Sequence, residues 1–142
     1  MKGCVSISTW DLSKTKHHVL ICNGSSCLRK LGDEVTVAIR EEIASHGAED
    51  LIHTTRTRCN GRCEDASVVT VYPEGNWYKN MTPETGKQLV RGLLQSDTLL
   101  QDQISFFYDQ GHFVPSGNGA TGMLPSVGAE LKRAREKAKA EE

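Results

Sequence analysis

The chain has 142 residues, enough for one domain with some length to spare. Its apolar residues, 37% of the total, concentrate between positions 17 and 107, and a formal net charge of −1 argues against a generic nucleic-acid or polyanion partner. No apolar run is long enough to span a membrane, and Met1–Asp11 lacks the apolar stretch of a secretory signal, so a cytoplasmic location is expected.

Residues 1–16 read as an N-terminal arm. His17–Cys22 (H-H-V-L-I-C) is a short apolar run that predicts a buried strand ending at a cysteine. From about Ser26 to His46, Leu28, Leu31, Val35, Ile39 and Ile43 recur three or four apart, which places them on one face of a helix. Gly32 weakens its first turn, Asp33 could cap a restart, and Gly47 supplies a stop. Leu51–Thr57, rich in Thr, predicts a second strand that delivers Cys59 at its end.

Ser67–Tyr72 predicts another strand, and Pro73-Glu74-Gly75 a turn into Asn76–Met81, together a hairpin. Thr82 before Pro83 and Glu84 marks a helix start, since proline is tolerated at the first helical position. That helix should reach Leu94 and bury Leu89, Val90, Leu93 and Leu94. The order β-α-β-β-β-α predicts an α/β fold of thioredoxin-like outline, with a small mixed sheet and flanking helices over residues 17–95.

Residues 96–142 read as a C-terminal extension. Ile104–Tyr108 is a compact aromatic patch, either a strand or a contact segment; Phe106, Phe107 and Tyr108 cannot all be buried on one strand face. Gly111 to Gly128 reads as a Gly-, Pro- and Ser-rich loop. Glu130–Glu142 reads as a solvated or frayed helix with Leu131 its only large apolar residue. No internal repeat is visible.

Chemistry concentrates in two cysteine pairs, C-N-G-S-S-C at Cys22 and Cys27 and C-N-G-R-C at Cys59 and Cys63. In a reducing compartment such thiols bind metal or do redox chemistry more often than they form structural disulfides. Both pairs lie at predicted strand ends. Parallel strands in a β-α-β unit emerge at one edge of the sheet, so the two loops are expected to converge. Zinc accepts four thiolates, but these x4 and x3 spacings lie at the margin of its usual x2 to x4 pairs. A [2Fe–2S] cluster, in which each of two irons takes two thiolates, tolerates wider loops.

The plant-type pattern C-x4-C-x2-C is excluded because no cysteine follows Cys27 at the required distance. No C-x-x-C occurs, which removes thioredoxin-type exchange. His17 and His18 lack the loop spacing of a Rieske centre. Gly117-x-Gly119-x-x-Gly122 matches the dinucleotide fingerprint in letters only, because it follows Pro115-Ser116 and not a strand. Cys4 reads as a free thiol on the arm. Trp10, Trp77 and Tyr78 are candidates for core or dimer-interface packing.

The paired C-x4-C and C-x3-C, with T-R-C-N-G-R-C-E-D and V-Y-P-E-G-N-W-Y, resemble the thioredoxin-like [2Fe–2S] ferredoxins. The same cysteine spacing occurs in the 24-kDa flavoprotein-arm subunit of respiratory complex I. The resemblance covers about residues 17–95. It implies a one-electron carrier, not an enzyme, commonly a homodimer, with Cys22, Cys27, Cys59 and Cys63 as cluster ligands. A reductase and an acceptor enzyme are the implied partners, and cobalamin biosynthesis is one pathway in which such ferredoxins occur. A cluster-based redox sensor and a zinc-stabilised interaction module are the rival readings. Arg56, Arg58 and Arg62 surround the second pair, where positive charge would favour a reduced cluster.

Overall fold

The computed structural model describes residues 7–97 and 100–141. Cys4, expected to be a free thiol, lies outside the described residues. Strands β1 (His17–Cys22) and β2 (Ile52–Thr57) are parallel, joined through helices α1 (Ser25–Arg29) and α2 (Gly32–Ser45). Strands β3 (Val69–Tyr72) and β4 (Asn76–Tyr78) form the expected hairpin, and α3 (Pro83–Leu94) follows. Then come β5 (Ile104–Asp109), β6 (His112–Pro115) and α4 (Pro125–Ala140). Among the described residues the strands form one six-stranded mixed sheet, in the order β2-β1-β3-β4-β5-β6.

Alternation along the strands sets the layers. Val19 and Ile21 of β1, Val69 and Val71 of β3, and Tyr78 point to one face, where Val35, Ile39 and Ile43 of α2 and Leu89 and Val90 of α3 cover them. Thr82 caps α3 by accepting from the Thr85 amide at 3.2 Å, with Pro83 in the first turn. The opposite face carries His18, Leu20, Tyr72 and Trp77, all half-buried. Tyr78 joins the core, whereas Trp10 is 70% exposed.

The helices α2 and α3 are tied by Glu42, whose Oε2 accepts from Arg91 Nε at 3.0 Å and lies 2.7 Å from His46 Nε2. Arg91 first, then His46, hold the Glu42 carboxyl below the usual carboxylate range. A depressed carboxyl pKa adds stability above its unfolded value, and that share is lost as pH falls through the folded value. Glu42→Gln should therefore remove part of the loss in melting temperature seen when the wild type is taken from neutral to acidic buffer.

Three local expectations are corrected. The helix expected from Ser26 to His46 is broken, because Leu31 takes a left-handed conformation (φ 70°) that ends one helix and re-aims the next. Within the stretch read as loop, His112–Pro115 pairs with β5 as an edge strand, Phe113 opposite Tyr108 and Val114 opposite Phe107. Proline sits at the end of that strand, where an edge tolerates it. The last helix begins at Pro125, earlier than Glu130, and buries no residue. Among the described residues, no helix is long and apolar enough to cross a membrane.

Candidate metal centre

Cys22 is the last residue of β1 and Cys27 lies in α1; Cys59 lies in the loop after β2 and Cys63 opens a 3₁₀ turn, Cys63–Asp65. The parallel pairing of β1 with β2 runs from His17↔Ile52 to Cys22↔Thr57, so both loops leave the same edge of the sheet. One short backbone bond fastens them together and a second ties the first loop to the segment entering β3. Asn23 donates its N–H to Thr57 O at 2.7 Å, and Cys22 donates its N–H to Val68 O at 3.0 Å. Gly24 then lies directly on the second loop: a Cβ there would come within 2.8 Å of Cys59 Cα and 2.9 Å of Cys59 N. Only glycine permits this approach.

All four thiols are free, and with Gly24, Ser26 and Arg62 they line one small, tight cleft. The sulfurs of Cys59 and Cys63 lie 3.4 Å apart. Two thiolates on one tetrahedral metal sit about 3.8 Å apart when the metal–sulfur distance is about 2.3 Å, so this pair is close to chelating geometry. Among the described residues no three His, Cys, Asp or Glu side chains gather about a single ion position. Four thiols arranged as two pairs are the donor set a two-iron centre takes, two to each iron.

The two pairs differ in environment. Cys22 and Cys27 are 3% and 2% exposed and pack against Ala66, Val68 and the half-buried Trp77, while Cys59 and Cys63 face solvent. Burial pushes the Cys27 thiol up to about 12, against the opposing pull of the Val68 N–H and the Ser67 hydroxyl. A metal's positive charge beside it would favour the thiolate against that burial. Cys59 is shifted the other way, first by the Gly61 N–H, which donates to its sulfur at 3.3 Å. Gly61 reaches this geometry with φ 83°, a region that favours glycine. Hydrogen bonding to Cys59 raises the neighbouring Cys63.

The sequence profile of the thioredoxin-like [2Fe-2S] ferredoxin family matches residues 11–94, more than half of the chain. The chain belongs to the thioredoxin-like [2Fe-2S] ferredoxins. A relative from Priestia megaterium named "Putative 2Fe-2S ferredoxin" is 49% identical over 114 residues, covering 80% of this chain and 89% of its own. A 2Fe-2S ferredoxin of Clostridium pasteurianum is 29% identical over 94 residues, covering 61% of this chain and 92% of its own. A solved thioredoxin-like [2Fe-2S] ferredoxin from Aquifex aeolicus shares the fold, with TM-score 0.61 and 23% identity over 72% of this chain and 97% of that one. This ferredoxin is thus a [2Fe–2S] protein and an electron carrier.

The four cysteines singled out from spacing all come to one cavity. The arginines separate. Arg62 lines the cavity and is paired with Asp65, Arg56 pairs with Asp33 at 2.9 Å, and Arg58 is exposed. Two groups beside the site had no sequence signal. Ser67 is 1% exposed, and its Oγ has no hydrogen-bond partner. Asp65, 4% exposed, stands out only as an acid between the second pair and a strand.

Proposed function

We propose that this ferredoxin holds its cluster through Cys22, Cys27, Cys59 and Cys63 and passes single electrons from a reductase to an acceptor enzyme. The observation that supports the ligand set most directly is the convergence of these four free thiols on one cavity, one pair buried and one facing solvent. A bound [2Fe–2S] cluster supplies one-electron redox chemistry, and the chain supplies its surroundings. Gly61 N–H stabilises negative charge on Cys59, and Val68 N–H does the same for Cys27. Ala66, Val68 and Trp77 keep water from the inner pair. A pocket for an organic substrate is not required for such transfer.

The deciding measurement is elemental and spectroscopic analysis of the purified protein. Two irons and two sulfides per chain, with reversible one-electron bleaching by a flavoprotein reductase, is the expected result. Colourless protein with stoichiometric zinc would sink this reading, and a cluster that disassembles on reduction would favour a sensor.

The ligand assignment makes a finer prediction. The buried, unpartnered Ser67 hydroxyl draws the Cys27 thiol down and is free to donate to its sulfur, so Ser67→Ala should keep the visible spectrum and lower the midpoint potential. One hydrogen bond of about 1 kcal/mol felt more strongly in the reduced state corresponds to a shift on the order of 40 mV. An unchanged potential would show that Ser67 does not serve the cluster.

We also propose a homodimer in the cytoplasm. Supporting it, the sheet face opposite α2 and α3 carries Leu20, Tyr72 and Trp77, and it continues to Phe113 and Tyr108, which are 40% and 53% exposed. Sedimentation of the holoprotein at the mass of one chain would remove that element. Family resemblance alone supports an acceptor in cobalamin biosynthesis; a strain lacking this protein that still makes cobalamin at the normal rate would dismiss it.

A further inference from the structure

The Gly117-x-Gly119-x-x-Gly122 stretch, excluded above as a dinucleotide site, lies against the second cysteine loop. Arg62 and Asp65 stand on either side of Cys63 in sequence and form an ion pair, Arg62 Nε donating to Asp65 Oδ2 at 3.0 Å. That pair grips a single residue of the extension from both sides. Ala120 donates its N–H to Asp65 Oδ1 at 2.9 Å, and its carbonyl accepts from Arg62 Nη2 at 2.7 Å. The contacts bridge 55 and 58 positions of sequence.

The fit around this grip is close. A Cβ on Gly119 would lie 2.9 Å from Ser105 Cβ, 3.0 Å from Arg62 Nη2 and 3.2 Å from Asp65 Oδ2. The Arg62 guanidinium also lies 4.8 Å from the centre of the Phe106 ring, in the stacked position that favours a cation. The segment is anchored at its start, where Ser116 donates its N–H to Ser105 O at 2.9 Å and its hydroxyl to Ile104 O at 2.6 Å. Further along, Lys79 Nζ donates to Asn118 O. The loop being gripped has little support of its own, for Cys59, Gly61, Cys63 and Glu64 are all exposed and its only regular element is one 3₁₀ turn.

We propose that Ser116–Gly122 is a clasp that fixes the solvent-facing half of the cluster site, with Arg62 as a positioning residue that acts on Cys63 through Asp65 and Ala120. This rests on the proposed ligand set. It gives a task to a segment beyond residues 11–94, the part matched by the family profile. The ion pair is almost buried, with Arg62 and Asp65 side chains 15% and 5% exposed, so breaking its geometry leaves charged groups unsatisfied. Held in this way, the loop keeps both outer sulfurs in place when the cluster gains or loses an electron.

The test uses full-length holoprotein and three substitutions. Gly119→Val forces the clasp off by a change made outside the cysteine loop's own sequence, and Arg62→Lys keeps the charge but loses the fork that joins Asp65 to Ala120. Gly128→Ala, in a helix that buries no residue, is the control. Cluster loss to an iron chelator is followed by visible absorbance, and the reduced centre by its electron paramagnetic resonance spectrum. Both clasp variants should bleach about tenfold faster than wild type, the scale of outer-shell effects on metal sites, and should share an altered spectrum. The double variant should be no worse than the stronger single, because both break one device. The control should match wild type.

Wild-type bleaching rates and spectra in Arg62→Lys and Gly119→Val would overturn the clasp, as would fully additive effects or an equally fast control. Should Gly119→Val fail to fold, the rate and spectrum of Arg62→Lys decide. Wild-type protein that holds no iron would instead remove the ligand reading beneath it.

Discussion

Replacing Cys27 with alanine should give a colourless protein, with iron and sulfide at background and the visible bands gone. Cys63→Ala should be equally colourless, yet the two apoproteins should differ. Cys27 is 2% exposed and packs in the small cluster with Cys22, Ala66 and Val68. Its loss removes a buried thiol that behaves as a small hydrophobe, and apoprotein stability should fall by about 1 kcal/mol. Cys63 faces solvent, so its apoprotein should melt with the wild-type apoprotein. Urea unfolding of the three apoproteins separates these outcomes. A coloured Cys27→Ala protein would remove Cys27 from the ligand set.

Gly24→Val should disable the site without touching a sulfur. At the Cβ position of residue 24 the nearest atoms are Cα, Cβ and N of Cys59, at 2.8 to 2.9 Å. These are backbone or attached to it, so they cannot swing aside as a side-chain tip would. The first loop would have to lift from the second, breaking the Asn23 N–H to Thr57 O bond at 2.7 Å and separating the cysteine pairs. Overpacking of this kind costs about 1–3 kcal/mol, and here the cost falls on the geometry that four ligands share. Reconstitution with iron and sulfide should reach only a small fraction of wild-type absorbance. Gly47→Ala, with no atom within 4 Å of the added carbon but φ 61°, should lose stability while reconstituting normally. Full reconstitution of Gly24→Val would show that the loops have slack.

Much of the arrangement was legible because it is local. The apolar run ending at Cys22, the Thr-rich strand before Cys59 and the Thr82-Pro83 start each carry their own signal within a few residues. Convergence of the cysteines followed from one rule about parallel strands. What escaped was decided by contacts remote in sequence. His112–Pro115 is too short and too flanked by glycine to announce a strand, and it exists because β5 offers an open edge. Leu31 gives no sign of a positive φ, since leucine rarely adopts one. The grip of Arg62 and Asp65 on Ala120 has no motif, because a backbone peptide is its target.

The unequal exposure of the two cysteine pairs has a kinetic consequence. On the proposed ligand set, with Cys22 and Cys27 walled in by Ala66, Val68 and Trp77, the short route for an electron in and the short route out would be the same doorway at Cys59 and Cys63. A donor and an acceptor that both used that doorway would take turns on it. Raising either partner well above the other should slow steady-state turnover by crowding it out. A centre with one wet side serves its clients in sequence.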